Sequence, residues 1–178
     1  MVDFTYIKYG VLLAMIAILF GGSLGLSFGC CEDDIKGILK DKAHSVLSDK
    51  YQGKSSKARK VVNKSWSYLK RAHFHSQTMG VIAIAFSLLI AWLKIPPRLQ
   101  MGISILAGFG SLGYGAFWFF SALLAPGMGS TGAAKEAVGL VAQVSAGSFF
   151  AAGVTVFSTL IYKMFIQRRQ ETGTGSGA

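Results

Sequence analysis

The chain has 178 residues, of which 52% are hydrophobic and only 15% are charged. The mean hydropathy of +0.47 excludes an ordinary water-soluble globule, in which about 25% of residues are charged. Nucleic-acid binding does not explain the net charge of +10, because no recognition motif accompanies the basic residues. The composition therefore predicts a membrane protein.

Four windows contain no Asp, Glu, Lys or Arg: residues 9–31, 76–93, 99–134 and 137–162. About 20 residues cross a bilayer core about 30 Å thick, so each window can hold one spanning helix. We predict spans near residues 9–29, 75–94, 101–124 and 135–163. The expected fold is an all-α, integral membrane four-helix up-and-down bundle, one domain over residues 1–178, with an amphipathic surface segment between spans one and two.

The first window is interpreted as an uncleaved spanning helix. Lys8 precedes the apolar stretch and Cys30 follows it, as at a lipoprotein cleavage site, but Ser27 and Phe28 fit that pattern poorly. The adjacent Cys30 and Cys31 lack the two-residue spacer of CxxC sites and specify no disulfide framework. We expect them to be small residues at the membrane edge.

The connection over residues 32–72 holds 11 of the 18 Lys and Arg residues against five acids, a net charge of +6. Apolar residues recur in it at helical spacing: Ile35, Ile38, Leu39, Val46 and Leu47. This predicts a short amphipathic helix on the membrane surface, with its lysines on anionic headgroups. A second helix is expected to begin near Ser56 and to continue into span two. The positive-inside rule predicts a cytoplasmic connection.

Prolines and glycines set the later boundaries. Pro96 and Pro97 in "LKIPPRLQ" stop the helix, so spans two and three must be antiparallel neighbours. Span three is expected to end near Leu124, because four helix-weakening residues follow: Pro126, Gly127, Gly129 and Gly132. Ser130 or Thr131 is the expected N-cap of span four. The small, polar tail over residues 170–178 is expected to be flexible.

Small residues repeat every fourth position in two spans and predict close helix packing. They are Gly21, Gly25 and Gly29 in span one, and Ala107, Ser111 and Gly115 in span three. From the sequence, these stripes either close the bundle on itself or receive a partner subunit. Internal packing is the simpler interpretation.

The expected topology brings polar groups from several spans to one membrane edge. One set is Gln77, Lys135, Glu136 and Gln143, a possible polar cluster. The other is Arg71, His73 and His75, which suggest a haem b site with an imidazole as axial ligand and Arg71 near a propionate. His73 and His75 lie about 200° apart around a helix, so only one can face an iron. The second ligand must come from elsewhere.

No metal site is predicted. Cys30, Cys31, His73, His75 and Glu136 carry suitable donor atoms, but nothing in their spacing selects a metal. Gly127, Gly132 and Lys135 do not form a phosphate loop, because two alanines separate the second glycine from the lysine.

"RAHFH" followed by Gly80, together with "GSTGAAKE", resembles a pattern in uncharacterised four-span inner-membrane proteins of bacteria. The resemblance covers these two short motifs and the four-span layout. It implies a bacterial inner (plasma) membrane location and a paired role for the segments around His73 and Lys135. It implies no activity.

These patterns favour a non-catalytic membrane subunit that packs with or anchors a larger membrane complex, or associates with itself, without a cofactor. The alternative is a haem-b-binding electron-transfer or sensing subunit that uses His73 or His75. An enzyme is not expected, because all three histidines lie in or before the start of span two and no nucleophile, base and acid can be assembled. The expected partners are anionic headgroups and other membrane subunits.

Overall fold

The computed structural model describes residues 4–167, a part of the chain that is helical apart from short turns. Its elements are α1 (Lys8–His44), α2 (Leu47–Tyr51), α3 (Ser55–Trp92), α4 (Pro97–Met128), α5 (Thr131–Ala137), α6 (Gly139–Ile161) and a π-helical segment (Tyr162–Gln167). Four of them, α1, α3, α4 and α6, are long and apolar enough to cross a membrane. The predicted all-α membrane bundle is confirmed. The tail expected to be flexible lies outside the described residues.

The four long helices do not contribute equally to the bundle. Helices α1, α3 and α4 each pack against the other two, whereas α6 packs mainly against α4 and only slightly against α3. Two buried apolar clusters fill the space between them, one around Leu39 and Trp118 and the other around Ile7 and Ile90. The opposite side of α6 is therefore left without neighbours from the described chain.

Helices α1 and α3 extend well beyond a bilayer. They have 37 and 38 residues, so each is about 55 Å long, against a bilayer core of about 30 Å. The end of α1 and the start of α3 pack together as a hairpin, with Leu39, Ala43 and Val62 buried between them. The segment around Ile35, expected to be a separate short helix on the membrane surface, is instead the last part of α1. Helix α3 begins at Ser55, next to the predicted start near Ser56.

A kink divides α1 near the membrane edge. Cys31 has φ −138° and ψ 29°, which are not helical values. Cys30 and Cys31 are joined to each other by a disulfide, so the description of them as merely small residues is corrected. A bond between neighbouring residues closes a small ring through the backbone. The non-helical conformation of Cys31 provides the room for that ring.

The end of α4 differs from the sequence expectation. The helix continues to Met128, past the predicted end near Leu124, with Pro126 inside its last turn. Proline removes one backbone hydrogen bond, which is a small loss where the helix is about to end. The end itself comes at Gly129, whose φ of 70° suits a residue without a Cβ.

The start of the fourth span contains a break. Ser130 is the N-cap of α5, and its Oγ accepts a hydrogen bond from the backbone N–H of Ala133 at 3.3 Å. Ser130 is thus an N-cap, but of the short helix α5 and not of the spanning helix α6, whose N-cap Val138 makes no side-chain capping bond. Val138, with φ −115° and ψ 17°, separates α5 from α6, so residues 135–163 are not one continuous helix.

Small residues allow the helices to approach closely inside this chain. A Cβ added at Gly21 would lie 2.8 Å from Gln77 Cγ, and Gly115 lies against Ser76. Ala107 and Ser111 are fully buried. Gly29 is different, because a Cβ there would meet nothing within 4 Å. Two buried hydroxyls add polar contacts, with Ser87 Oγ 2.8 Å from Ser104 Oγ, which donates to the Ile7 carbonyl.

Candidate functional site

His73 is held against α1. Its Nδ1 lies 2.7 Å from the carbonyl oxygen of Gly21, so Nδ1 carries the proton and donates it. The ring fills the notch at Gly25, where an added Cβ would lie 2.9 Å from Nδ1. Phe28 meets the ring edge-on, with 5.9 Å between centroids. His73 is thus half-buried and anchored by packing and a hydrogen bond.

His75 faces α4 instead. Its ring stacks on Trp118, with planes 16° apart, and meets the edge of Tyr114 at 5.2 Å between centroids. The guanidinium of Arg71 lies 4.8 Å from the Trp118 ring centre and 5.6 Å from that of Tyr68. A cation over an aromatic face gains about 0.5–2 kcal/mol, depending on how far it is desolvated. These five residues form what we call the aromatic–cation cluster.

One polar atom in the aromatic–cation cluster has no acceptor. The Nε1–H of Trp118 is buried and makes no hydrogen bond to any described residue. A buried donor without an acceptor costs about 1–3 kcal/mol. The cluster offers a positive charge and a hydrogen-bond donor, both suited to holding an electron-rich group. The packed rings and the cation over them support binding or helix packing.

The four residues of the possible polar cluster do not all meet. Gln77 lies against α1 at Gly21 and Gly22. The other three, Lys135, Glu136 and Gln143, line an open groove of about 520 Å³ on α5 and α6. Their side chains are exposed on the outside of the bundle.

The groove continues into a strip that we call the outer face of α6, which is exposed apart from the half-buried Gly139. At 100° per residue its members fall within one third of the helix circumference. They are Gly139, Leu140, Gln143, Ala146, Gly147 and Phe150. Leu140 and Phe150 are 73% and 74% exposed. The buried residues of α6, including Ser145 and Ala152, face α4 from the opposite side.

Haem ligation by His73 or His75 stays a prediction. Ligating histidines often bond a carbonyl through the second nitrogen, as His73 does, but the same bond also anchors a packed ring. His75 already stacks on Trp118. Within residues 4–167 no group of three or more His, Cys, Asp or Glu side chains is arranged to hold a metal ion.

Sequence reasoning missed the aromatic partners of Arg71 and His75. The stretch "GYGAFWFF" of α4 supplies Tyr114 and Trp118, and its antiparallel packing against the start of span two was the available signal. The disulfide between Cys30 and Cys31 was also missed, because adjacency alone does not distinguish a bonded pair from two free thiols.

Comparison of the chain with protein-family models, with curated proteins and with solved structures finds no match. The class of protein therefore rests on the fold, which is that of a multi-pass helical membrane protein.

Proposed function

We propose that this protein is a non-catalytic integral membrane subunit that assembles through the outer face of α6. The observation that carries the proposal is an apolar, glycine-containing strip with one amide, Gln143, on a helix that has a protein neighbour on only one side. The partner with most support is a second copy of the chain.

The glycines of this face lack an internal packing role. Gly110 and Gly113 on α4 lie tightly against Ser145 of α6, so a side chain at either would collide. A Cβ at Gly139 or Gly147 would meet nothing within 4 Å. Glycine inside a helix costs about 1 kcal/mol relative to alanine, and Gly147 lies inside α6, so a contact that needs a small residue there would offset this cost. Close approach of a second helix is such a contact.

Gln143 supplies the second argument. It lies between the two glycines, four residues from each, and its side chain is exposed. It is seven residues beyond Glu136 and lies inside the charge-free window 137–162. An amide in contact with hydrocarbon gains from any hydrogen-bonding partner, by about 1 kcal/mol in membrane helices.

A second copy of the chain would provide both a close helix neighbour for the glycines and a hydrogen-bonding partner for Gln143. Copies inserted in the same orientation can form a dimer whose two-fold axis is the membrane normal, so their α6 helices run parallel. Gln143 then meets Gln143, and an amide is both donor and acceptor. The glycines lie on either side of that contact and let the backbones approach.

Native mass spectrometry in mild detergent tests the proposal. We expect a dimer of the unmodified chain and its loss, by about tenfold or more in dimer affinity, in the double variant Gly147→Leu with Gln143→Leu. Gly29→Leu is the matched control, because Gly29 is equally open but lies on α1. A monomer under all gentle conditions, or equal loss of dimer in both variants, contradicts assembly through α6.

We infer in addition a location in a bacterial inner membrane, with the 32–72 connection cytoplasmic. The resemblance of "RAHFH" and "GSTGAAKE" to bacterial inner-membrane proteins supports the location. The charge distribution supports the orientation, with 12 Lys and Arg residues on the face of this connection and six on the other.

A further inference from the structure

A concave site lies on the hairpin, outside the predicted spans. It is a groove of about 500 Å³ between the end of α1 and the start of α3, a size typical of small-molecule sites. We call it the hairpin groove. Its lining is Lys36, Lys40, Ala43, His44, Ser55, Ala58, Arg59, Val62 and Asn63. The buried side chains of Ala43, Ala58 and Val62 form an apolar floor.

The hairpin groove is basic and contains no acid. Lys36 is paired with Glu32 and also lies over the Trp66 ring at 5.1 Å. That ion pair is the only one among residues 4–167, so Lys40 and Arg59 have no acidic partner there. Two cations that share one depression repel each other when it is empty. A bound anion attracts both cations and so offsets their mutual repulsion.

The backbone at the start of α3 adds to the positive electrostatic potential of the hairpin groove. Ser55 begins α3, and the N-cap residue Lys54 makes no side-chain capping bond. The first turn of α3 contains no acidic residue that would oppose the helix dipole. The positive end of the dipole of α3, a helix of 38 residues, therefore lies beside the cations of the hairpin groove.

The position of the hairpin groove favours a water-soluble ligand over a lipid. Charges are absent from residue 9 to Cys31, where α1 kinks, so the membrane edge lies near Cys31. Lys36 and His44 are then about 8 Å and about 20 Å further along the helix. A headgroup layer adds only about 5–7 Å to each side of the bilayer core. Most of the groove thus lies in water.

We propose that the hairpin groove binds a water-soluble organic phosphate of nucleotide size. The phosphate groups contact Lys40 and Arg59 near the start of α3, and the apolar part of the ligand lies on Ala43, Ala58 and Val62. Phosphate suits the site because it accepts several charge-assisted hydrogen bonds at once. A purely inorganic anion would leave the apolar floor uncovered.

Equilibrium dialysis of the full chain in detergent, with ADP as the probe, tests the site. We expect saturable binding of one ADP per chain, weaker binding of pyrophosphate and none of adenosine. The double variant Lys40→Gln with Arg59→Gln should lose at least about tenfold in ADP affinity. The matched control is Lys57→Gln with Lys60→Gln, which removes the same charge from exposed positions of α3 outside the groove.

Four results would overturn the proposal. The first two are no ADP binding at millimolar concentration and equal losses of ADP affinity in the two double variants. The other two are adenosine binding as tightly as ADP, and a protein that binds vesicles rich in phosphatidylglycerol but not ADP. Circular dichroism establishes that each variant is folded. If the groove double variant does not fold, Lys40→Gln alone replaces it, with Lys60→Gln as control and the same direction of effect expected. The α6 face takes no part in this measurement, so its outcome is independent of the dimer.

Discussion

A single tyrosine ties the short helix α2 to the far end of α4. Tyr51 is 1% exposed, and its hydroxyl donates a hydrogen bond to the carbonyl oxygen of Pro126 at 2.7 Å. That carbonyl lies in the last turn of α4, where the helix no longer supplies an N–H donor. Nearby, Gly129 packs against Lys50, which closes the same junction. The contact therefore fixes the hairpin against the bundle.

Tyr51→Phe should lower the stability of the protein by about 1 kcal/mol, because the buried Pro126 carbonyl loses its donor. Burial raises the pKa of Tyr51 above its ordinary value of 10.0. Its contribution is therefore complete below about pH 10 and declines as the pH rises through the folded-state pKa. Thermal melts at pH 8 and pH 11 measure the gap between the two proteins. A gap that stays constant over this range would contradict the assignment.

The two histidines show how far residue-level prediction reached. Their spacing placed them about 200° apart on one helix, and the structure has His73 against α1 and His75 against α4. The sequence could not tell which helix would receive which ring. That depends on the notch at Gly25 and on the position of Trp118, both of which are set by the register between neighbouring helices.

At the scale of elements, α1 contains two glycines one turn apart that have opposite surroundings. Gly25 faces the His73 ring, whereas Gly29 faces open space. Gly25→Ala forces the ring to move and weakens its bond to Gly21, which should destabilise the fold by about 1–3 kcal/mol. Gly29→Ala should be neutral or stabilise by up to about 1 kcal/mol, because alanine is the better helix former.

Unfolding of the two variants in a detergent titration checks this pair. Shifts of equal size and sign would mean that Gly25 is not a contact residue. A stabilising Gly25→Ala would have the same meaning.

Helix boundaries were harder to predict than spans, for a physical reason. The charge-free windows identified the four apolar segments, because charges are costly in lipid. Charges do not end helices, however, so α1 continues through Glu32 and α3 begins 21 residues before Ser76. Two helix boundaries were visible in the sequence. Pro96 restricts the backbone and interrupts the helix before α4, and Gly129 can adopt the positive φ that ends α4.

At the scale of the whole molecule, two features on one membrane face favour opposite orientations of the protein in the membrane. The basic hairpin favours the cytoplasm by the positive-inside rule. The disulfide between Cys30 and Cys31 lies at the same face, and disulfides persist mainly outside the cytoplasm. Charge acts during insertion, before a disulfide can matter. We therefore expect the charge to decide the orientation.

Reporter insertions test the orientation in a bacterial inner membrane. The turn at Gln52 and Gly53 is exposed and has positive φ at both residues, so it should tolerate an insertion. A green fluorescent protein placed there should fluoresce, while alkaline phosphatase, which needs disulfides, should be inactive. The turn at Lys94, on the opposite face, should give the reverse pattern. Active phosphatase at Gly53 would instead place the hairpin outside, where its cysteines stay bonded and its groove meets extracytoplasmic anions.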